Sequence, residues 1–317
     1  MILKKIIKSF VSVLKVIQHI FENIIKLFKG LIGYLTLIDN NYVTNFLHEN
    51  NTKIHLPKIS LLSVILNPKK LLKRSLDYFS RPQTEVLLRK TIFNLYEQKY
   101  IDPKKSVIDI GCWIADNSLV WAKMLEDDAI VFAIDPSTEN LSFGKNVAAL
   151  NNIFNVKWVR AVCSDKPDIA MSYDGSIHMA QFKIDKESNS SMVSTTLDKI
   201  ADEKSGSIGL MHVDVEGFEL KVLQGAGKII ELSRPVILFE QHISKEDVGA
   251  IINFLHQHKY DIYMINEVLP GCDLDCRNFI AFDSKREPPK IKNMDQKTGR
   301  ELDIFHASIG PQLIKVT

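Results

Sequence analysis

Hydrophobic and polar positions change period several times along the chain, and each change predicts an element. Over residues 1 to about 35, Leu3, Ile7, Phe10, Leu14, Ile17, Phe21, Ile24, Phe28 and Leu31 recur at alternating four- and three-residue steps, the stripe widened by Ile6, Val13, Ile20 and Leu27. That is one face of a helix, with Lys4, Lys5, Lys8, Lys15, Lys26 and Lys29 mostly over the rest. The lysines interrupt any run long enough to span a bilayer, and no small-residue cleavage site follows as in a secretory signal. Residues 39–70 are polar and broken apart from Ile59–Leu66, and a helix is predicted over Pro82–Tyr100. From Ser106 onward short apolar runs alternate with helical stretches. Ser106–Ile110, Ile130–Ile134, Val156–Val162, the run from Ile208 and Pro235–Gln241 suit strands buried on both faces of a parallel sheet. Helices are predicted after Asn117-Ser118, over Ser142–Asn151, after Gly217 with Phe218, Val222 and Ala226 on one face, and over Ile251–His258. Tyr260–Ile265 and Asn278–Asp283 are the closing strands. His178–Ile184 and Ser191–Thr195 read as short antiparallel additions around the turn at 188–191. Beyond Ser284, Pro288-Pro289 and alternating charges predict a tail ordered at most in part.

Several strands end in carboxylates. Asp109 closes the first, Gly111 permits a sharp turn, and Asn117-Ser118 opens the next helix; Asp135 closes the second strand before a proline. A strand, a glycine turn and a helix, with a second acid at the same sheet edge, describe a nucleoside pocket in which Asp135 reaches ribose hydroxyls. A dinucleotide fingerprint wants three glycines, whereas Trp113 and Ala115 occupy the next two positions here. The pattern therefore favours S-adenosylmethionine, which carries no pyrophosphate, over a nicotinamide dinucleotide. Ser164 and Asp165, at the edge of the third strand, are candidates to hold the adenine, with turn chemistry as the alternative. In IGLMHVDVEGFELKVLQGA, from Ile208, period-two alternation puts His212, Asp214 and Glu216 on one side. Such polar side chains are costly in a core and useful at a pocket. Glu240 and His242 end the next strand.

Composition narrows the classes. At 317 residues, 25% charged and 45% hydrophobic, there is room for one large α/β domain and an extension. Forty basic against 38 acidic residues leave +2, which gives no reason to expect nucleic acid as a partner. The basic N-terminal stripe allows packing on its own domain, self-association or peripheral membrane contact through residues 1–35. Cys112, Cys163, Cys272 and Cys276 lack zinc spacing, and reduced thiols in a cytoplasmic protein, the last two in a solvent-facing turn, are the expectation.

In their order, VIDIGCWIADNSL, AIDPS, AVCSD, VSTTLDKI, VDVEGFELKVLQGA and VILFEQH resemble the FkbM family of S-adenosylmethionine-dependent methyltransferases, over roughly Arg81–Ser284. The resemblance implies a Rossmann-like class I methyltransferase fold: a mostly parallel seven-stranded sheet flanked by helices, its last strand antiparallel, with the cofactor at the C-terminal edge. It also implies O-methylation of hydroxyls, often on sugars or polyketide-like metabolites. The chain departs from the family at Ala115, where a second glycine is usual, at Trp113, and at His212, where lysine is common. The expected organisation is an amphipathic basic helix over 1–38, a helical connecting region over 39–100, the methyltransferase domain over 101–284 and a C-terminal tail over 285–317.

Expected cofactor contacts are Asp109, Gly111, Asn117, Ser118, Asp135, Ser164, Asp165 and Asp214. Candidates for removing the acceptor's proton are His212, Asp214, Glu216 and His242, with His212 favoured on its ordinary pKa. No metal is expected, although Asp214, Glu216 and Glu240 are a carboxylate set that could hold a divalent cation; a cap or turn role is the alternative for Glu216. The expected activity is methyl transfer to a hydroxyl of a glycan or small hydroxylated metabolite (EC 2.1.1.-), in the cytoplasm or peripherally at its membrane. The competing reading is a catalytically silent, cofactor-binding scaffold docked through the N-terminal helix.

Overall fold

Short apolar runs that end in acids fold as the central strands of one sheet. The computed structural model describes residues 43–47, 52–55, 85–173, 182–184, 192–201, 207–242, 248–267, 276–289 and 308–316. The helix expected over 1–38, the run at 59–66, His178, the turn at 188–191 and Cys272 lie outside the described residues. β1 (Val43–Leu47) and β2 (Thr52–His55) pair in a two-stranded sheet of their own. The described residues from 85 onward belong to one unit.

That unit runs α1 (Val86–Glu97), β3 (Ser106–Ile110), α2 (Asp116–Ala122), β4 (Val131–Ile134), α3 (Thr138–Leu150) and β5 (Val156–Val159). There follow β6 (Val162–Cys163), β7 (Ala170–Tyr173), β8 (Phe182–Ile184), β9 (Met192–Thr195) and α4 (Leu197–Ile200). The last part is β10 (Ile208–Val213), α5 (Glu219–Gln224), α6 (Gly227–Ser233), β11 (Val236–His242), α7 (Val248–Gln257), β12 (Tyr260–Glu267), β13 (Cys276–Asp283) and β14 (Ser308–Val316).

Among the described residues the main sheet has eight strands in the order β14-β12-β13-β11-β10-β3-β4-β5. β5, β4, β3, β10 and β11 are parallel, and β13 inserts antiparallel between β11 and β12. Without β14 this is the expected mostly parallel sheet. β14 lies where the sequence suggested a tail, and it pairs antiparallel with β12. A second, four-stranded sheet, β6-β9-β7-β8, holds the two expected short additions together with β6 and β7.

Local chemistry accounts for several boundaries. α3 starts four residues earlier than expected because the Ser137 hydroxyl accepts the Asn140 N–H at 3.2 Å and caps it. The single helix expected after Gly217 is two, broken at Gly225. A side chain there would lie 2.1 Å from the Ser164 carbonyl oxygen, so the backbones meet only at a glycine. β10 ends at Val213, so Asp214 and Glu216 stand in the loop after the strand and not on its side with His212, as alternation suggested. Cys276 is buried in β13, a correction to the expected solvent-facing thiol.

One face of the main sheet is apolar: Ile108, Ile110, Phe132, Ile134, Met211, Val213, Ile237, Phe239, Phe279 and Ala281 pack with residues of α5, α6 and α7. The opposite face is polar towards the strands' C-terminal ends, where Asp109, His212, Glu240 and His242 are all buried. The register shows that they share this face, because Asp109 pairs His212 and His212 pairs Leu238, two and four residues before Glu240 and His242 on β11.

Candidate active site

β3 delivers Asp109, fully buried, to the sheet edge. One carboxylate oxygen accepts the Ser118 hydroxyl from the first turn of α2, and the other lies 2.7 Å from His212 Nδ1 on the adjacent strand. Burial alone would lower the His212 pKa, but the hydrogen bond and charge of Asp109, with Asp214 and Glu85 beyond, hold it above its ordinary value. His212 is thus favoured to carry a proton more than a free imidazole would, and its ring makes a T-shaped contact with Trp121 at 5.2 Å between centroids.

The turn from Gly111 to Ala115 is tightly set. Gly111 has φ 77°, and a Cβ there would fall 1.7 Å from the Asp214 carbonyl oxygen, so glycine is required where the β3 and β10 loops touch. Trp113 (φ 45°) and Ala115 (φ 62°) are left-handed without being glycine, at a cost of about 1–2 kcal/mol per residue. Asp135 helps hold this turn: one oxygen accepts the Trp113 N–H at 3.0 Å, the other the Ser137 N–H at 2.8 Å and Asn140 Nδ2 at 3.3 Å. Burial lifts the Asp135 carboxyl to about 6 against the pull of these donors.

Sequence reasoning missed a second tier beneath the turn. Arg89 of α1, fully buried, donates from Nη1 to Asn117 Oδ1 at 3.0 Å; Asn117 Nδ2 donates to Glu85 Oε2 at 3.1 Å; and that oxygen lies 3.7 Å from Arg89 Nη1. Glu267, at the end of β12, accepts the Leu88 N–H at 3.3 Å and Asn278 Nδ2 at 3.0 Å. Burial lifts Glu267 to about 7, the Glu85 charge adding to it. Glu85 and Arg89, four apart among Val86, Leu87, Leu88 and Ile92, were the available signal: an ion pair on the apolar face of a helix.

On the other side of the edge, the His242 Nε2 at the end of β11 lies 3.2 Å from Glu216 Oε2. Glu216 stands in the β10–α5 loop with φ 53°, and Glu219 shapes that loop by accepting the Val215 N–H at 3.0 Å and the Gly217 N–H at 3.1 Å. Glu240 bonds the Cys276 thiol. The carboxylate set Asp214, Glu216 and Glu240 is not gathered: among the described residues no group of three or more His, Cys, Asp or Glu is placed to hold a metal ion.

Residues 109–262 match the model of the methyltransferase FkbM domain. This stretch, just under half of the chain, is similar to the methyltransferase FkbM domain. No curated protein matches the chain. Among solved structures, methyltransferase FkbM from Methylobacillus flagellatus is similar at 16% identity and a TM-score of 0.44, over 57% of this chain and 44% of that one. The chain thus spans less than half the length of that relative. A Streptococcus mutans protein solved in complex with S-adenosylhomocysteine aligns at 12% identity and TM-score 0.39, over 60% of this chain and 95% of that one. A SAM-dependent methyltransferase from Agrobacterium tumefaciens aligns at 12% and 0.41, over 64% and 62%.

The match to the methyltransferase FkbM domain implies S-adenosylmethionine as the cofactor, and the residues present suit it. A carboxylate offers about four acceptor positions, and the three donors on Asp135 leave one for a ribose hydroxyl. Ser164, buried at the end of β6, donates to Asp165 at 2.9 Å, which leaves Asp165 able to accept further donors. Asn117 and Ser118, expected as direct contacts, point their polar atoms at Arg89, Glu85 and Asp109 and brace the turn that precedes α2. Among the described residues no helix is long and apolar enough to cross a membrane.

Proposed function

We propose that the FkbM domain transfers the methyl group to a hydroxyl of a glycan or small hydroxylated metabolite, with His242, oriented by Glu216, removing the acceptor's proton. The supporting observation is the His242–Glu216 pair, 3.2 Å apart at the ends of adjacent parallel strands, one strand over from the donor turn. Bound S-adenosylmethionine supplies an electrophilic methyl on a sulfonium. The chain's own part is then to hold an acceptor oxygen in line with that methyl, which can account for roughly 7 to 11 kcal/mol of barrier, and to take a proton. With Nε2 donating to Glu216, Nδ1 is the nitrogen of His242 that would take the proton. The base is assigned here to His242 and not to His212, favoured on sequence, because His212 Nδ1 is engaged by buried Asp109 at 2.7 Å.

Glu216, Glu240 and Asp214 near this edge favour a neutral, donor-bearing acceptor over a phosphate or carboxylate, which they would repel. Cytoplasmic placement, and contact with a membrane or a second copy through residues 1–35, complete the reading.

The test is an acceptor screen of hydroxylated glycans and metabolites, scored by S-adenosylhomocysteine release, followed by His242→Gln on the best acceptor. The expected result is a fall in kcat of about 10²- to 10⁴-fold with S-adenosylhomocysteine affinity unchanged. Wild-type turnover in His242→Gln would overturn the assignment of the base.

A further inference from the structure

The donor turn holds two left-handed residues that are not glycine, and each end of it is tied down. On the Trp113 side the tie is Asp135. On the Ala115 side the chain enters α2, whose first turn is held by two contacts from outside the helix: Ser118 to Asp109 of β3, and Asn117 to the Arg89–Glu85 pair of α1. Ala115 has no exposed surface, and its own carbonyl accepts the Leu119 N–H at 3.0 Å, so its conformation is coupled to where α2 starts. A glycine would rest in that conformation unaided, whereas an alanine stays there only if its surroundings insist.

Arg89 suits this role better than a lysine would. Its planar guanidinium presents fixed donors, one of which reaches Asn117 while staying beside Glu85, and the group is completely buried. Asn117 answers with both ends of its amide, accepting from Arg89 and donating to Glu85. The three side chains close a triangle between α1 and α2.

We infer that Arg89 is a positioning residue for the methyl-donor site: through Asn117, and with Glu85, it holds the left-handed Ala115 turn in its binding conformation. The inference rests on the reading of Gly111–Ser118 as the donor turn. It gives α1 a task beyond packing, and it explains how this chain tolerates alanine at that turn.

The test titrates full-length protein with S-adenosylhomocysteine by calorimetry, comparing wild type, Arg89→Lys, Ala115→Gly and the double variant, alongside thermal unfolding and steady-state kinetics. Arg89→Lys keeps the charge beside Glu85 and removes the guanidinium hydrogen bond to Asn117. It is expected to weaken binding by about tenfold and raise the donor KM in proportion, leaving kcat at saturating donor unchanged. Ala115→Gly should restore most of that affinity in the Arg89→Lys background, because a glycine no longer needs holding. A merely structural Arg89 would lower the Tm without this rescue. If Arg89→Lys fails to fold, the neutral pair Glu85→Gln with Arg89→Gln takes its place in the same cycle. Wild-type affinity in folded Arg89→Lys, or no rescue by Ala115→Gly, overturns the inference. Failure of the wild type to bind would instead remove the reading of the donor turn itself.

Discussion

The two faces of the main sheet are built from the same strands, often from neighbouring residues, and do opposite work. Ile108 and Ile110 join the apolar core, while Asp109 between them joins a buried polar chain. Met211 and Val213 flank His212 in the same way, and Ile237 and Phe239 lie in the core on the strand that ends in Glu240 and His242. The apolar face is held by area and close packing, which depend little on pH or ligand. The polar face gains nothing from burial itself. It persists because its buried carboxylates, Asp109, Asp135 and Glu267, each accept hydrogen bonds from neighbouring groups, and its groups stay poised to exchange protons or ligands. Stability and function are thereby divided between two sides of one strand.

If that division is real, damage to the apolar face should cost stability alone. Phe239, fully buried and stacked on Phe279 with ring centroids 5.2 Å apart, is the clearest case. Phe239→Ala should destabilise by about 3–5 kcal/mol in denaturant unfolding, while the protein that remains folded binds S-adenosylhomocysteine as before. A large loss of affinity at that position would mean that the faces are not independent.

The polar face should instead make stability depend on pH. Glu267, raised to about 7, and Asp135, raised to about 6, hold protons in the folded state that the unfolded chain has already released. The folded state therefore binds more protons, and stability falls as pH rises, from about 4.5 to about 7 for Glu267 and from about 4 to about 6 for Asp135. His212, raised by Asp109, acts in the same sense: its stabilisation is present below about 6.5 and is lost as pH climbs through the folded value. Glu267 alone should contribute on the order of 3 kcal/mol. Urea unfolding between pH 5 and 8 should show this decline, and Glu267→Gln should flatten its lower part. A profile equally flat in both proteins would show that this face is not titrating.

Much of this division was legible in the sequence. Continuous apolar runs closed by Asp109, Asp135 and Glu240 gave the parallel strands, and the ordered motifs gave the family. The unread parts have particular physical reasons. Alternation was carried past Val213 because sequence does not show that the chain turns left-handed at Glu216. β14 was read as tail because its nine residues, SIGPQLIKV, include a glycine and a proline and make a strand only with β12 to pair with. Arg89 and Glu85 escaped notice because a charged pair on a helix normally marks the solvent side. Here their shared partner, Asn117, is 28 and 32 residues further along the chain from Arg89 and Glu85 respectively. The Asp109–His212 pair joins strands 103 residues apart in sequence, which the pattern along either strand alone does not reveal.

The smallest expected effect concerns the residue that serves both tasks. Asp135 braces the Gly111–Ala115 turn through Trp113 and, in the proposed reading, keeps one acceptor position for the ribose. Asp135→Ala should therefore weaken S-adenosylhomocysteine binding by about 1.5–3 kcal/mol and leave the fold intact. Wild-type affinity should also fall as pH drops below about 6, since a protonated carboxyl is the poorer acceptor for a hydroxyl. The two readouts separate the tasks. A carboxylate that touches the ribose loses both the affinity and its pH dependence on substitution. One that only braces the turn would lose affinity in Asp135→Ala but recover it in Asp135→Asn, whose amide oxygen can still accept the Trp113 N–H. Unchanged binding in both variants would place the ribose elsewhere and leave Asp135 as a purely structural member of the polar face.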